Sequence, residues 1–190
     1  MSGEPMQNSK YYVLTIKDYL PQPEQEAIES EFILYIKHMW DKHKMSCIFI
    51  PTGANPIEEN DVPVGERIAA QIKNNKVFAM EIPKTPEETK RIIRGAKFAM
   101  CTRMHSAIFA VTEFIPFIAI AYEHKSIGLL ESLSLSKWHI RMTQVTCSEL
   151  YSMTKKLLNK QTYANFIKTL MEQQTIITNL RQELKHEIVE

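Results

Sequence analysis

Short apolar runs recur along this chain, and each is followed by a segment with the composition of a helix. Such runs suit strands that are buried on both faces of a parallel sheet, although a short apolar run alone does not exclude a helix. Alternation with helices favours strands. We predict six strands, at residues 11–16, 47–50, 77–80, 98–101, 117–121 and, as a short last strand, 138–140.

The intervening segments carry helix signals, and the clearest is Thr85-Pro86 followed by Glu88, which predicts an N-cap, a first-turn proline and a capping box. Asp61 is a candidate cap for the helix that follows the second strand. Apolar positions between Tyr163 and Ile188 form one long stripe, which we expect to pack against its own domain. The predicted helices are 24–44, 66–74, 85–95, 107–111, 126–133, 148–158 and the tail 163–188.

Alternating strands and helices predict a Rossmann-like three-layer α/β sandwich with a parallel sheet and right-handed crossovers. We expect residues 1–9 to be a flexible lead and residues 10–190 to form a single domain with C-terminal helices.

Composition excludes several classes of function. A hydrophobic fraction of 44% and a charged fraction of 24% are ordinary for a globular domain, and a net charge of +1 gives no global field for nucleic acid. No apolar stretch suits a signal peptide or a membrane span. The five glycines form no nucleotide-binding loop.

Three widely spaced cysteines suit buried free thiols in a reducing cytoplasm. We expect no metal site, because His38 and His43 share no helix face, and His139 and His186 have no companion ligands.

Polar residues suited to anion binding follow two of the predicted strands. Arg103 and His105 come after the strand at 98–101, and ligands of open α/β sheets bind outside the carboxyl ends of the strands. The N-terminus of the helix near Ser106 would favour a phosphate or carboxylate, and Arg103 adds a fork for bidentate contacts. Taken alone, these residues favour a structural interpretation over a binding one, with Arg103 as half of a helix-start salt bridge and His105 as a satisfied surface histidine.

A longer pattern surrounds these residues: Arg103-Met104-His105-Ser106-Ala107-Ile108-Phe109-Ala110, then Pro116, Ile120, Tyr122-Glu123-His124-Lys125, Gly128 and Leu133. This pattern resembles the polysaccharide pyruvyltransferase family, most closely its colanic-acid-type members. The resemblance implies the C-terminal, donor-binding domain of a two-domain glycosyltransferase B-type fold. The family's N-terminal half, with a Gly-Asn-x-Gly-Asp type motif, has no counterpart in these 190 residues. Three explanations stay open: the chain is an excised or truncated domain, the missing half is a separate chain, or a homo-oligomer completes the enzyme.

The resemblance implies transfer of pyruvate from phosphoenolpyruvate to a sugar as a ketal, in exopolysaccharide or cell-surface polysaccharide biosynthesis. Phosphoenolpyruvate is the donor substrate, the acceptor is a sugar or lipid-linked oligosaccharide, and no cofactor is implied. Two alternatives stay open: a nucleotide-sugar glycosyltransferase-like donor domain and a non-catalytic interaction module.

The implied site contains one candidate acid, His105, which protonates the donor's methylene carbon or only binds its phosphate. Lys17, at the end of the first strand, stands where the family often has arginine. Glu123 is a candidate base toward an acceptor hydroxyl, or half of an ordinary charge pair with Lys125. The residues implied to bind substrate are Lys17, Arg103, Met104, His105, Ser106, Glu123, His124 and Lys125.

Overall fold

A computed structural model of the chain describes residues 10–18, 20–52, 54–55, 59–121 and 124–187. The strands are β1 (Tyr11–Leu14), β2 (Ser46–Phe49), β3 (Ala54–Asn55), β4 (Glu59–Asn60), β5 (Phe78–Met80), β6 (Ala99–Cys101), β7 (Phe117–Ala121) and β8 (His139–Arg141). The helices are α1 (Gln22–His43), α2 (Val62–Ile72), α3 (Pro86–Arg94), α4 (Met104–Thr112), α5 (His124–Ser132), α6 (Cys147–Leu157), α7 (Lys160–Glu172) and α8 (Gln174–Glu187).

Six of the strands form one sheet in the order β5-β2-β1-β6-β7-β8, and every pair in it is parallel. The chain starts at the centre with β1, moves outward to β5, returns to β6 beside β1, and continues to β8. This is the Rossmann strand order, and its direction reverses between β1 and β6. The predicted α/β fold with a parallel sheet is therefore confirmed, with each predicted strand within two residues of its observed bounds.

Helices cover both faces of the sheet. The connections from β1 to β5 cross the sheet in one direction and those from β6 to β8 in the opposite direction, which places their helices on opposite faces. On one face α1 contacts α2 and α6, and on the other α4 contacts α3 and α8. Buried side chains join these layers, including a 2.7 Å hydroxyl contact between Tyr35 of α1 and Thr154 of α6. Cys47 and Cys101 are buried in β2 and β6, as predicted.

The C-terminal stripe packs on the same sheet, as predicted, but it consists of two helices that part at Gln173 rather than one. The Phe166 ring centroid lies 5.7 Å from that of Phe117 and 5.5 Å from that of Trp138. The Tyr163 hydroxyl donates to the Lys97 carbonyl at 2.8 Å. These contacts lie at the starts of β6, β7 and β8, so α7 covers the amino edge of the sheet.

Two local predictions about helix starts had different outcomes. Thr85 caps α3 by accepting from the backbone N–H of Glu88 at 3.2 Å, as predicted. Asp61 precedes α2, but its side chain makes no capping hydrogen bond, so the predicted cap is wrong. Its carboxylate binds Arg103 instead. The helix itself begins at Val62 rather than residue 66, since Pro63 needs no hydrogen-bond partner in a first turn.

The segment after β2 contains a second, two-stranded sheet, in which Ala54–Asn55 pairs antiparallel with Glu59–Asn60. In the part of the chain described, no helix is both long enough and apolar enough to cross a membrane.

Candidate active site

The loops after β1 and β6 meet at the carboxyl edge of the sheet, at the point where the strand order reverses. The backbone N–H of Lys17 donates to the Thr102 hydroxyl at 3.0 Å. Lys17 therefore lies beside the loop that carries Arg103, although 86 residues of sequence separate them. Ligands of doubly wound sheets bind at such a switch point, so the fold brings two parts of the predicted site to the expected place.

A chain of buried hydroxyl groups fixes the start of α4. The Thr15 hydroxyl accepts from the Thr102 N–H at 3.1 Å and lies 3.1 Å from the Ser106 hydroxyl. Ser106 Oγ lies 2.7 Å from the Arg103 carbonyl, to which it donates. Since Ser106 has one hydroxyl hydrogen, the Thr15 hydroxyl is the donor in their contact. Ser106 is wholly buried, so in this conformation it supports the helix start, and its predicted contact with substrate stays a prediction.

The first turn of α4 carries the predicted acid. The helix begins at Met104, three residues before the predicted start, and Arg103 is its N-cap residue in extended conformation. Met104 is half-buried and His105 is exposed. The first N–H groups of a helix have no partner within it, and its N-terminus carries a partial positive charge. An exposed imidazole in this turn is therefore placed beside a surface that favours anions.

Arg103 forms a buried, two-pronged ion pair with Asp61. Arg103 Nε lies 2.9 Å from Asp61 Oδ2, and Nη2 lies 2.8 Å from Oδ1. The side chains are only 9% and 2% exposed. The salt-bridge interpretation of Arg103 is therefore confirmed. A contact between Arg103 and a donor would involve a guanidinium that a carboxylate already orients. Sequence reasoning missed Asp61 as a site residue, because no local pattern links two positions 42 residues apart.

Asp61 also binds the loops after β1 and β2. Its Oδ1 accepts from the Asp18 N–H at 3.4 Å, and its Oδ2 accepts from the Thr52 hydroxyl at 3.5 Å. With Arg103 after β6, one carboxylate thereby connects the carboxyl ends of three neighbouring strands.

A second ion pair holds α2 against α1. Arg67 Nε and Nη2 donate to the two carboxylate oxygens of Glu29 at 2.9 and 2.7 Å, and Nη2 also lies 3.1 Å from Asp18. Hydrogen bonds to the buried Glu29 carboxylate raise the pKa of Arg67. Gln25 extends the network, because its amide donates to Glu29 at 3.0 Å and to the Lys17 carbonyl at 3.3 Å. The loop that carries Lys17 is therefore attached to both helices.

Three predicted residues are not positioned by the structure. Glu123 lies outside the described residues. His124 and Lys125 begin α5, but their side chains are not described. Their roles remain predictions.

Cys101 is the one thiol beside the site, and it is suited to packing rather than to nucleophilic chemistry. Burial raises the pKa of Cys101 to about 12, so the thiol is protonated at neutral pH.

The histidines of α1 contact one aromatic residue rather than a metal ligand set. His43 Nε2 lies 3.3 Å from the Tyr151 hydroxyl, and the His38 ring centroid lies 4.2 Å from that of Tyr151. Among the described residues, no group of three or more His, Cys, Asp or Glu side chains is placed to hold a metal ion.

A cavity of about 540 Å³ lies at the opposite edge of the sheet. It is a less suitable ligand site for this fold, because it adjoins the starts of β1, β2 and β5 rather than their carboxyl ends. Its lining is basic and aromatic, formed by Lys10, Trp40, His43, Lys44, Met45, Ser46, Asn75 and Lys76.

The family model of polysaccharide pyruvyl transferase matches residues 8–124, which contain β1 to β7, Lys17, Asp61 and the Arg103-to-Ser106 motif. The chain belongs to the polysaccharide pyruvyl transferase family. The resemblance in the sequence is thus confirmed. Among curated proteins, the amylovoran biosynthesis protein AmsJ of Erwinia amylovora is 24% identical over 134 residues, which are 67% of this chain and 32% of AmsJ. The chain therefore spans about a third of the length of that relative.

Solved structures of other proteins show the same fold. A variant of the O-GlcNAc transferase of Thermobaculum terrenum superposes with a TM-score of 0.63 at 12% identity, over 98% of this chain and 37% of that one. The UDP-GlcNAc 2-epimerase of Methanocaldococcus jannaschii gives 0.58 at 14% identity, over 82% and 41% of the two chains. At these identities the likeness concerns the fold alone.

Proposed function

We propose that this chain is the donor-binding part of a polysaccharide pyruvyltransferase, which transfers pyruvate from phosphoenolpyruvate to a sugar in exopolysaccharide or cell-surface polysaccharide biosynthesis. Family membership and the similarity to an amylovoran biosynthesis protein support this proposal. The observation that carries it is the convergence of Lys17, Arg103 and the exposed His105 at the switch point of the sheet.

The donor has a carboxylate and a phosphate on a three-carbon unit, so it needs several cationic or N–H donors around a small volume. The N-terminus of α4 suits one of these anionic groups. Lys17 supplies a charge from the neighbouring loop, and Arg103 supplies a planar guanidinium of fixed orientation.

The chemistry starts with transfer of a proton to the methylene carbon of phosphoenolpyruvate, for which we assign His105 as the acid. Protonation leaves an oxocarbenium-like centre, which one sugar hydroxyl attacks. Loss of phosphate then regenerates an electrophilic carbon for the second hydroxyl, which completes the ketal. One hydroxyl proton returns to His105, and the other leaves with phosphate or solvent. We assign two further roles from the sequence pattern alone. His124 and Lys125 assist the departure of phosphate, and Glu123 accepts a hydroxyl proton.

A second unit completes the enzyme in this proposal. The chain corresponds to about a third of AmsJ and of the O-GlcNAc transferase. We propose that a further domain, a partner chain or a second copy brings the sugar or lipid-linked oligosaccharide to the carboxyl edge. Free thiols at Cys47, Cys101 and Cys147 support a cytoplasmic setting.

Calorimetric titration of phosphoenolpyruvate into the purified chain tests the proposal. We expect saturable binding, and a loss of about 10- to 100-fold in Arg103→Ala, since hydrogen bonds to charged groups contribute roughly 1.5 to 3 kcal/mol. His105→Ala changes an exposed residue and reports on the site without disturbing a buried pair. Arg94→Ala is the matched control, because Arg94 pairs with Glu113 at the end of α3 and lies 54% exposed.

A parallel titration with UDP-GlcNAc separates the main alternative. If the folded chain binds the nucleotide sugar but not phosphoenolpyruvate, the result contradicts the proposal and favours a glycosyltransferase-like donor domain. Binding of neither ligand, with stable capture of a partner protein, would favour an interaction module.

A further inference from the structure

We propose that Asp61 is a positioning residue, which fixes the direction of the Arg103 guanidinium and so sets the geometry of the donor-anion subsite. The inference rests on the proposed function, since it assigns the subsite to the donor. Asp61 lies outside the motif that carries the family resemblance, and it contacts the donor in no step of the proposed chemistry.

The geometry of the pair is that of a clamp. Asp61 takes the edge of the guanidinium formed by Nε and Nη2, with both distances below 3.0 Å. A guanidinium is planar and rigid, so holding one edge fixes the direction of the opposite edge, which carries Nη1. A single contact would leave the group free to rotate about it, whereas two parallel contacts do not.

The clamp itself is anchored on both sides. Asp61 is 1% exposed and precedes α2, and each of its oxygens accepts a further contact, from the Asp18 N–H and from the Thr52 hydroxyl. The Arg103 backbone is fixed independently, because its carbonyl accepts from Ser106. The Arg103 side chain is therefore held at both ends, at the backbone by Ser106 and at the guanidinium by Asp61.

Electrostatics shows why orientation, rather than charge, is the contribution of Asp61. A carboxylate beside Arg103 neutralises the charge that attracts an anion, so on charge alone its removal would strengthen donor binding. Burying such a pair also costs desolvation. An arginine already held in its binding direction avoids the loss of side-chain freedom on binding. Neutralisation of the charge weakens donor binding, whereas orientation of the guanidinium strengthens it. In this proposal the effect of orientation is the larger of the two.

The test compares Asp61→Asn with Glu113→Gln, which makes the same carboxylate-to-amide change in the pair that Arg94 forms with the largely buried Glu113. Phosphoenolpyruvate affinity is measured by calorimetry for both variants, for Arg103→Ala and for the Asp61→Asn/Arg103→Ala double variant. We expect Asp61→Asn to weaken binding about 10-fold, Glu113→Gln to leave it within 2-fold, and the double variant to bind no worse than Arg103→Ala. Unchanged or tighter binding in Asp61→Asn would overturn the inference, as would the same fold-loss in both arginine backgrounds.

A second readout needs no donor. The Nε–Hε resonance of Arg103 in ¹H–¹⁵N spectra should exchange slowly in the parent and in Glu113→Gln, and should be broadened or lost in Asp61→Asn. If the folded parent binds no phosphoenolpyruvate, the proposed function fails, and this resonance alone decides whether Asp61 holds Arg103. A resonance unaffected by Asp61→Asn would overturn the positioning role.

Asp61→Glu serves if the asparagine variant does not fold. It keeps the charge pair but moves the carboxylate by one methylene group, so it redirects the guanidinium without leaving Arg103 unpaired. We expect weaker phosphoenolpyruvate binding and a shifted Arg103 resonance, and parent-like values for both would overturn the inference.

Discussion

Thr15, directly after the first strand, contacts Ser106 of the fourth helix through buried hydroxyl groups 3.1 Å apart, across 91 residues of sequence. Thr15→Val keeps the shape of the side chain but removes its hydroxyl. The Thr102 N–H then loses an acceptor and Ser106 loses a donor, so we expect the free energy of unfolding to fall by about 1–3 kcal/mol. Urea unfolding measures this change. Thr15→Ser, which restores the hydroxyl, should recover most of it, and a valine variant as stable as the parent would contradict the hydroxyl chain.

Two helical glycines provide a matched pair for packing. A Cβ at Gly65 of α2 would lie 2.5 Å from Met80 Sδ and 2.8 Å from the Phe49 ring, whereas a Cβ at Gly128 of α5 would meet no atom of the described residues within 4 Å. We expect Gly65→Ala to destabilise the fold by about 1–3 kcal/mol. Gly128→Ala should stabilise it by up to about 1 kcal/mol, because alanine favours the helix. Thermal unfolding compares them, and equal effects would contradict the close approach of α2 to the sheet.

The Arg67–Glu29 pair is expected to be a stability element. Arg67→Met leaves the buried Glu29 carboxylate without its main partner. Since Arg67 is 39% exposed and water can partly replace it, we expect a loss of about 2 kcal/mol, less than the roughly 3–5 kcal/mol typical of a fully buried pair. Chemical unfolding measures the loss. The Arg67→Met/Glu29→Met double variant should regain part of it, and a double variant less stable than the single one would be evidence against this account.

Tyr163 should make stability fall at alkaline pH. Burial raises the pKa of Tyr163 from 10.0 to about 12. The folded protein therefore keeps this proton after the unfolded chain has lost it, so the contribution is complete below pH 10 and is lost as the pH rises toward 12. Between pH 7.5 and 10.5 we expect this residue to account for less than about 1 kcal/mol, since it is partly exposed. Urea unfolding at both pH values should show a smaller decrease for Tyr163→Phe than for the parent.

The strands and most helices were predictable because their signals are local. The run 117–121 is apolar throughout, and every residue of β7 is buried, so composition alone located it. Thr85 and Pro86 marked the start of α3 for the same reason. By contrast, the tail was predicted as one stripe, because no glycine or proline marks the break between α7 and α8 at Gln173.

The site was predictable only in part. The position proposed for the donor site followed from Arg103 and His105 after a buried strand, together with the strand order of the fold. The partner of Arg103 did not follow, because Asp61 in front of a helix has the local signature of a cap, and its pairing depends on the juxtaposition of β2 and β6 around β1. Contacts between residues so far apart in sequence are properties of the topology and leave no mark on either segment alone.

The most direct test of the account is to map phosphoenolpyruvate binding on the chain by the shifts of backbone amide resonances. We expect saturable shifts at the carboxyl edge, centred on Lys17, Thr102 and His105, with resonances at the amino edge unchanged by the donor. The basic cavity at the other edge, which Lys10 and Lys76 help to line, is the competing site for a small anion. Shifts confined to that cavity, with Lys17, Thr102 and His105 unchanged, would contradict the placement of the donor site.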